Sequence, residues 1–166
     1  MSTPSLKKSL SDLHQELGLT RRALERIPED KLTWKPHPKS MTIGGLGQHI
    51  ANLGYWMVTS LEQPEYDLAS GPSVLGEPAS REEILQRFDT NAAAVQKAFD
   101  AVDDEALRQQ WVLRHGDNVI MKQSRVGVLR SACISHLIHH RGQLSVYLRL
   151  LDIPVPSIYG PSADER

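Results

Sequence analysis

The stretch that most constrains the fold is Ser131–Leu151, which reads SACISHLIHHRGQLSVYLRLL. Its apolar residues Cys133, Leu137, Leu144, Leu148 and Leu151 recur at spacings of three, four and seven residues, as on one face of an α-helix. His136 and His140 are four residues apart, so on a helix their imidazoles stack on one side, one turn apart. Two ring nitrogens placed in this way can bind one divalent ion. The rest of the chain must therefore bury this helix and complete the site.

Three earlier segments share the same helical periodicity. The second has Ser40 or Thr42 as its N-cap, and the third begins with a capping-box pattern, Ser80-x-x-Glu83. We predict the four helices at residues 5–27, 42–61, 80–102 and 124–151. Four amphipathic helices in one chain predict an all-α fold, an up-down-type four-helix bundle with long crossover loops, formed by residues 1–166 as a single domain.

The segments between these helices are predicted to be mostly irregular. Residues 28–41 contain three prolines, and residues 62–79 contain several prolines and glycines. Asp103 is expected to start a short extra turn that ends near Leu107. The Gly116-Asp117 pair, between two apolar runs, indicates either a short hairpin or an extended loop. The tail, residues 152–166, is apolar enough to pack back on the helices.

Composition excludes several classes of protein. The formal net charge of -1 lacks the basic character of a nucleic-acid binder. No apolar run is long enough to span a membrane, and the N-terminus does not resemble a secretory signal, so a cytoplasmic location is expected. With seven histidines and one cysteine, a metal site would use nitrogen and oxygen ligands. The single cysteine, Cys133, is expected to be a buried filler.

The direction of each histidine follows from about 100° of rotation per helical residue. His140 lies about 20° from the centre of the apolar stripe, His136 about 55° and His139 about 115°. His49 lies within the apolar stripe of the second helix. Taken alone, each inward histidine could be satisfied by hydrogen bonds, but together they favour a metal site with His49, His136 and His140 as ligands. His37 and His115 are expected at the surface, and His14 is expected to be solvated or partly packed, with a fourth ligand as its alternative role.

Several neighbouring side chains are candidates for orienting these ligands or lining a pocket. His139, Gln48, Asn52 and Gln143 are candidate supports for the ligand histidines. Tyr147 either lines a pocket or packs in the core. Arg141 either binds a substrate carboxylate or forms an interhelix or interchain ion pair. Leu137 occupies the position that the catalytic glutamate takes in the His-Glu-x-x-His motif, which excludes a helical zinc protease.

Two motifs resemble the DinB-like (DinB/YfiT) family. The first is SMTIGGLGQH, residues 40–49, and the second is HLIHHRGQL, residues 136–144, followed by YGPSADE in the tail, residues 159–165. The resemblance implies a bundle of the DinB type, usually a homodimer. It also implies a divalent metal, nickel, zinc or a similar ion, held by the residues that match His49, His136 and His140.

The resemblance leaves the reaction open. Relatives that are thiol-dependent transferases imply a metal-dependent enzyme that joins a low-molecular-weight thiol to a small electrophile. The alternatives are a non-catalytic metal- or small-ligand-binding protein of the stress response, and a metal-dependent hydrolase. The hydrolase would need a carboxylate near the histidines, which Asp164 or Glu165 would supply if the tail folded in.

The outer face of the last helix gives its own indication of assembly. Its residues are small or apolar rather than charged, a composition suited to close helix packing within the bundle or against a second subunit. They are Ser131, Ile134, Ser135, Ile138, Gly142 and Ser145.

Overall fold

The computed structural model describes residues 5–70 and 76–165, and most of them are helical. The helices are α1 (Leu13–Leu24), α2 (Ile43–Glu62), α3 (Arg81–Ala101), α4 (Asp104–Arg108), α5 (Arg125–Val128) and α6 (Ser135–Leu150). The strands are β1 (Glu65–Asp67), β2 (Gln110–His115) and β3 (Asn118–Ser124), and short 3-10 turns occupy Lys7–Leu10 and Glu29–Lys31. None of the helices in the described ranges is long and apolar enough to cross a bilayer.

Side-chain caps start three of the helices as the sequence predicts. Thr42, rather than Ser40, caps α2, because its Oγ1 accepts a hydrogen bond from the Gly45 N–H at 2.9 Å. Ser80 caps α3 and Ser124 caps α5 in the same way. The first predicted helix starts later than expected: residues 7–10 form a 3-10 turn, and regular α-helix begins at Leu13.

The core lies among α1, α2, α3 and the C-terminal helix, which is the continuous run of α5, Leu129–Ile134 and α6. Each long helix contacts two neighbours: α3 packs on α1 and α2, and α6 packs on the same two helices from the other side. Gly54 allows α2 and α3 to approach closely, since a Cβ at this position would lie 2.8 Å from the Cβ of Asn91 in α3. Completely buried leucines and isoleucines fill the centre, among them Leu24, Ile43, Leu46, Ile50, Ile84, Leu144 and Leu148.

The chain is mostly helical, as predicted, but a small sheet is also present, so the all-α prediction is confirmed only in part. Strand β2 pairs in parallel with β1 and antiparallel with β3. Gly116 has a positive φ of 57° and Asp117 follows it, so the hairpin alternative for this turn is confirmed. β1 lies inside the crossover that was predicted to be irregular, because its three residues gain their order by pairing with β2. Residues 71–75 of that crossover lie outside the described part of the chain.

The C-terminal helix is continuous, as predicted, but it is not uniform. Residues Leu129–Ile134 form a π-helix, in which hydrogen bonds span five residues. Ser135 marks its end: both its N–H and its Oγ donate to the Arg130 carbonyl, the latter at 2.8 Å. Regular α-helix resumes at Ser135, directly before the histidine pair.

The tail packs against the helices, which confirms the prediction, and ion pairs add to its apolar contacts. Ile153 and Val155 pack on the core. The Asp164 carboxylate binds Arg149 of α6 at 2.5 Å, and the Glu165 carboxylate lies between Arg22 of α1 and Arg26, which follows the end of α1. The tail therefore spans α6 and α1 on the outside of the molecule.

Candidate metal centre

Three imidazoles from two helices meet between α2 and α6. His49 comes from α2, and His136 and His140 come from α6. The Nε2 atom of His136 lies 3.4 Å from that of His49 and 2.8 Å from that of His140. The ligand atoms that the three rings offer all lie within 4.8 Å of one another. The structure therefore brings together the three histidines that the helical-wheel analysis selects.

Local hydrogen bonds fix the tautomers of the two histidines on α6. His140 Nδ1 lies 2.7 Å from the side-chain carbonyl oxygen of Gln143, and His136 Nδ1 lies 3.3 Å from the Ala132 carbonyl oxygen. Because a carbonyl oxygen only accepts, each Nδ1 carries the proton. In a neutral imidazole the other nitrogen, Nε2, then has a free lone pair. Two lone pairs consequently face each other at 2.8 Å, an arrangement that needs a positive charge between them.

Protons are poor candidates for that charge near neutral pH. Burial, followed by the nearby rings of His140 and His136, lowers the pKa of His49 to about 4. Burial also lowers the pKa of His140 below its ordinary value. Both effects disfavour imidazolium, because an ion loses solvation when it is buried and like charges repel. The protonated forms of His49 and His140 are therefore disfavoured at pH 7, and each of these two rings keeps a lone pair.

The spacing of the donor atoms suits a first-row divalent ion. Ligand bonds of about 2.0–2.1 Å place nitrogens about 3.3 Å apart around a tetrahedral ion and about 2.9 Å apart around an octahedral one. The observed separations of 3.4 Å and 2.8 Å lie close to this range without selecting one geometry. His140 is buried, whereas His49 and His136 are half-buried, so one side of the cluster is accessible. Three protein ligands with an accessible side are typical of catalytic rather than structural metal sites.

Gln143 is the predicted supporting residue that contacts a ligand directly, through its hydrogen bond to His140. Gln48 points elsewhere: its amide donates to the Gly76 carbonyl at 3.3 Å, and its Oε1 has no hydrogen-bond partner among the described residues. Asn52 is half-buried, one turn beyond His49 on α2. His139 is exposed, and its ring centre lies 5.0 Å from that of His140.

Tyr147 lies two turns beyond His140 and packs edge-to-face against Trp34, with ring centres 5.8 Å apart. Its hydroxyl donates to the Met41 carbonyl at 3.4 Å. Both rings are half-buried, so this aromatic pair forms part of the surface along the α2–α6 contact. The sequence analysis did not identify Trp34, which comes from the proline-rich loop.

Arg141 lies outside the histidine cluster. Its guanidinium forms an ion pair with Glu16 of α1, at 2.7 Å, and donates to the Tyr159 hydroxyl at 2.6 Å. The interhelix ion pair that was predicted as one of its roles is therefore present. The sequence analysis missed Glu16 and Tyr159, although a glutamate on the buried face of α1 is itself an unusual feature.

The remaining titratable candidates lie away from the cluster. His14, His37 and His115 are exposed, as predicted. Cys133 is buried, and burial raises the pKa of its thiol to about 12. The hydrolase alternative requires the tail to fold into the histidine cluster. Instead, Asp164 and Glu165 form ion pairs with arginines on the outside of the molecule.

Comparisons with known proteins agree on one family. The model of the DinB family matches residues 1–166. The chain is 41% identical, over 154 residues, to the uncharacterized protein YrdA of Bacillus subtilis strain 168; the match covers 90% of this chain and 85% of that protein.

Two solved structures have the same fold. A DinB-like protein from Bacillus cereus ATCC 10987 has a TM-score of 0.73 and 19% identity, with 93% of this chain and 98% of that chain covered. A DinB-like protein, YjoA, from Bacillus subtilis has a TM-score of 0.68 and 17% identity, with 96% and 99% covered.

Proposed function

The chain belongs to the DinB family, and from the convergence of three imidazoles we propose that it binds one divalent metal ion through His49, His136 and His140. The observation that carries this proposal is the meeting of three Nε2 atoms, with that of His136 2.8 Å from that of His140 and 3.4 Å from that of His49. Nickel and zinc are the preferred ions, because imidazole suits borderline metals better than the oxygen-seeking magnesium or calcium.

We further propose that the metal-loaded protein is a transferase that joins a low-molecular-weight thiol to a small electrophile. When bound, the ion supplies the positive charge that lowers the pKa of a thiol and favours thiolate at neutral pH. The half-buried side of His49 and His136 gives the thiol its access. Gln143 keeps the His140 ring in the tautomer that leaves Nε2 free. The Trp34–Tyr147 pair offers an apolar surface for the electrophile.

The two alternatives differ in their support. A metal-dependent hydrolase would need a carboxylate base at the cluster, and both tail carboxylates that could serve pair with arginines elsewhere. A non-catalytic metal- or small-ligand-binding protein of the stress response would use the same three ligands. We retain that second candidate because the accessible side of the cluster suits a bound ligand as well as a reacting one.

Metal analysis of three proteins tests the ligand set. The wild-type protein, His140→Ala and His139→Ala should be purified in parallel, and their nickel and zinc contents measured by mass spectrometry. His139 is the matched control, since it is the adjacent histidine on the same helix and is exposed. We expect one ion per chain in the wild type and in His139→Ala, and loss of the ion in His140→Ala. Stoichiometric metal in His140→Ala would overturn the ligand assignment.

Turnover assays then separate the transferase from the binding protein. The metal-loaded wild type should be mixed with chlorodinitrobenzene and, in turn, with glutathione, mycothiol and bacillithiol. A transferase accelerates product formation with one of these thiols, and His140→Ala abolishes the acceleration. A protein that binds stoichiometric metal but supports turnover with none of them would favour the non-catalytic alternative.

We also propose that the protein forms a homodimer through the outer face of the C-terminal helix. Val146 and Leu150 are each 57% exposed on this helix, which is high for apolar side chains. A Cβ on Gly142 would meet nothing within 4 Å, so packing within the chain does not require a glycine there. Light scattering at micromolar concentration checks the assembly, and a monomer mass would contradict it.

A further inference from the structure

A second polar cluster lies on the other side of α6, where that helix packs on α1. Arg141 is its centre. Its guanidinium contacts the Glu16 carboxylate at 2.7 Å and donates to the Glu16 carbonyl and the Thr20 hydroxyl, both at 3.2 Å. The Tyr159 hydroxyl accepts from Arg141 at 2.6 Å and donates to Glu16 at 2.8 Å. These four side chains are called the arginine cluster below.

Three members of the arginine cluster are shielded from water. The exposed fractions of Arg141 and Glu16 are 2% and 4%, and Thr20 is completely buried. Tyr159 covers these three residues from outside: it is 65% exposed as a residue, while the guanidinium carbon of Arg141 lies 5.2 Å from its ring centre. The tail is therefore the lid of a buried ion pair between α1 and α6.

Stability alone is a weak reason to bury an ion pair. Desolvation of the two charges offsets most of their attraction, and well-packed apolar residues often serve as well or better. The best-attested role of buried polar groups is to fix the register of one element against another. Such a role matters here because the apolar face of α6 consists largely of leucines, Leu137, Leu144 and Leu148. Leucines tolerate small rotations and slides, whereas a buried ion pair does not.

Rotation of α6 would act directly on the histidine cluster. Arg141 follows His140 in the sequence, so the two side chains point about 100° apart around the same helix. A rotation of about 20° would move a histidine Nε2 by about 2 Å. Metal–ligand distances tolerate deviations of only about 0.2 Å. How far α6 can rotate therefore decides whether His136 and His140 can share an ion with His49.

We propose that the Glu16–Arg141–Tyr159 contact positions α6, so that its two histidines meet His49 in binding geometry. Arg141 is thus a positioning residue, acting through the helix rather than by touching the ion. The expected effect on metal affinity rests on the proposed metal-binding function, but the position of the imidazoles can be measured without metal.

The decisive variant removes both charges at once, Glu16→Leu with Arg141→Met, so that no charge is left buried alone. Tyr159→Phe is a milder second variant that keeps the ion pair and removes the lid hydroxyl. The matched control is Asp12→Leu with Arg130→Met. It deletes an ion pair between the start of α1 and the C-terminal helix, at 2.8 Å, whose two side chains are about 40% exposed.

Three measurements are compared for each protein: the melting temperature, the dissociation constants for Ni²⁺ and Zn²⁺ by titration calorimetry, and the proton–proton NOEs between the His49 and His140 rings of the metal-free protein. The ring centres are 4.5 Å apart, so the wild type should show these NOEs. We expect the Glu16→Leu/Arg141→Met protein to remain folded, to bind metal at least tenfold more weakly and to lose NOE intensity. Tyr159→Phe should lower the metal affinity and the NOE intensity by smaller amounts. The control should change neither the metal affinity nor the NOE intensity.

The outcomes separate the two proposals. If the wild type shows the NOEs but binds neither Ni²⁺ nor Zn²⁺, the metal-binding proposal is wrong. The NOEs of the variants then still test whether the arginine cluster positions α6. If the Glu16→Leu/Arg141→Met protein keeps both its NOEs and its metal affinity, the arginine cluster is only a packing feature and the positioning inference is overturned.

Discussion

The two polar clusters on α6 differ in how completely they are satisfied. In the arginine cluster, Arg141 and Glu16 are held within the chain by each other, by Thr20 and by Tyr159. In the histidine cluster, the Nε2 atoms of His136 and His140 lie 2.8 Å apart while their Nδ1 atoms face carbonyl oxygens, so a pair of neutral rings would leave two lone pairs facing each other. His140 and Arg141 are consecutive residues, so local sequence does not explain the difference; the neighbouring helix does.

This difference indicates where a ligand belongs. A buried polar group that already has its partners can be explained by folding alone. A group of buried acceptors that face one another without a donor is unfavourable as it stands, and it becomes favourable when a cation binds. The degree of satisfaction therefore separates a structural cluster from a binding cluster in the same helix.

The largest expected effect comes from removing one charge of the ion pair in the arginine cluster. Arg141→Met leaves the Glu16 carboxylate buried without its cation, and we expect a loss of about 3–5 kcal/mol in the free energy of unfolding. Urea denaturation monitored by circular dichroism measures it. Arg130→Met, which breaks the more exposed pair with Asp12, should cost no more than about 1 kcal/mol. Equal losses in the two variants would show that burial does not distinguish these ion pairs.

Removing a support from the histidine cluster should affect metal affinity rather than stability. Gln143→Leu deletes the oxygen that accepts from His140 Nδ1, so the ring loses its fixed tautomer. We expect metal affinity to fall about 10- to 100-fold, with a change of less than about 1 kcal/mol in unfolding free energy. Titration calorimetry and urea denaturation measure the two quantities. Gln143→Glu keeps an acceptor there and should retain the affinity; an equal loss in both variants would contradict the tautomer argument.

The two clusters should also weaken at opposite ends of the pH range. His49 has a pKa lowered to about 4, so between about pH 6.5 and 4 the unfolded chain binds more protons than the folded one, and stability falls as the pH falls. Burial, with the hydrogen bond to Glu16, raises the pKa of Tyr159. Above about pH 10 the unfolded chain therefore loses this proton first, and stability falls as the pH rises.

Urea midpoints of the metal-free protein across the pH range test both slopes. His49→Leu should flatten the acid slope and leave the alkaline slope unchanged, whereas Tyr159→Phe should do the reverse. His14→Ala is the control for the acid arm, because His14 is exposed on the surface of α1. If His14→Ala reduced the acid slope as much as His49→Leu does, the slope could not be attributed to the histidine cluster.

The three clustered histidines could be selected from the sequence because each of them follows a local pattern. His136 and His140 are one helical turn apart, and His49 lies in an apolar stripe, so periodicity alone selects them. The arginine cluster could not be predicted in the same way, since Glu16 and Arg141 are 125 residues apart and Tyr159 is a further 18 along the chain. Arg141 was predicted to bind a substrate carboxylate or to form an ion pair. The packing of α1 beside α6 was needed to identify Glu16 as its ion-pair partner.

Two features of the fold escaped prediction for related reasons. Strand β1 is three residues long and exists through its pairing with β2, so it has no alternation of its own to detect. The π-helix at Leu129–Ile134 differs from α-helix by a change in hydrogen-bond partner, which no residue type specifies. The N-caps, by contrast, depend on a single side chain and its nearest neighbours, and Ser80 and Ser124 start their helices as predicted.

The smallest effect is expected between the two clusters, at Gly142. A Cβ there meets nothing within 4 Å, so Gly142→Ala should stabilise α6 by about 0.5–1 kcal/mol through its helix propensity. Metal affinity should stay within twofold of wild type, because neither cluster is touched. Urea denaturation and titration calorimetry measure the two, with light scattering beside them. A destabilised variant with a reduced mass would show instead that a second chain packs closely on this glycine and that the added Cβ intrudes on that contact.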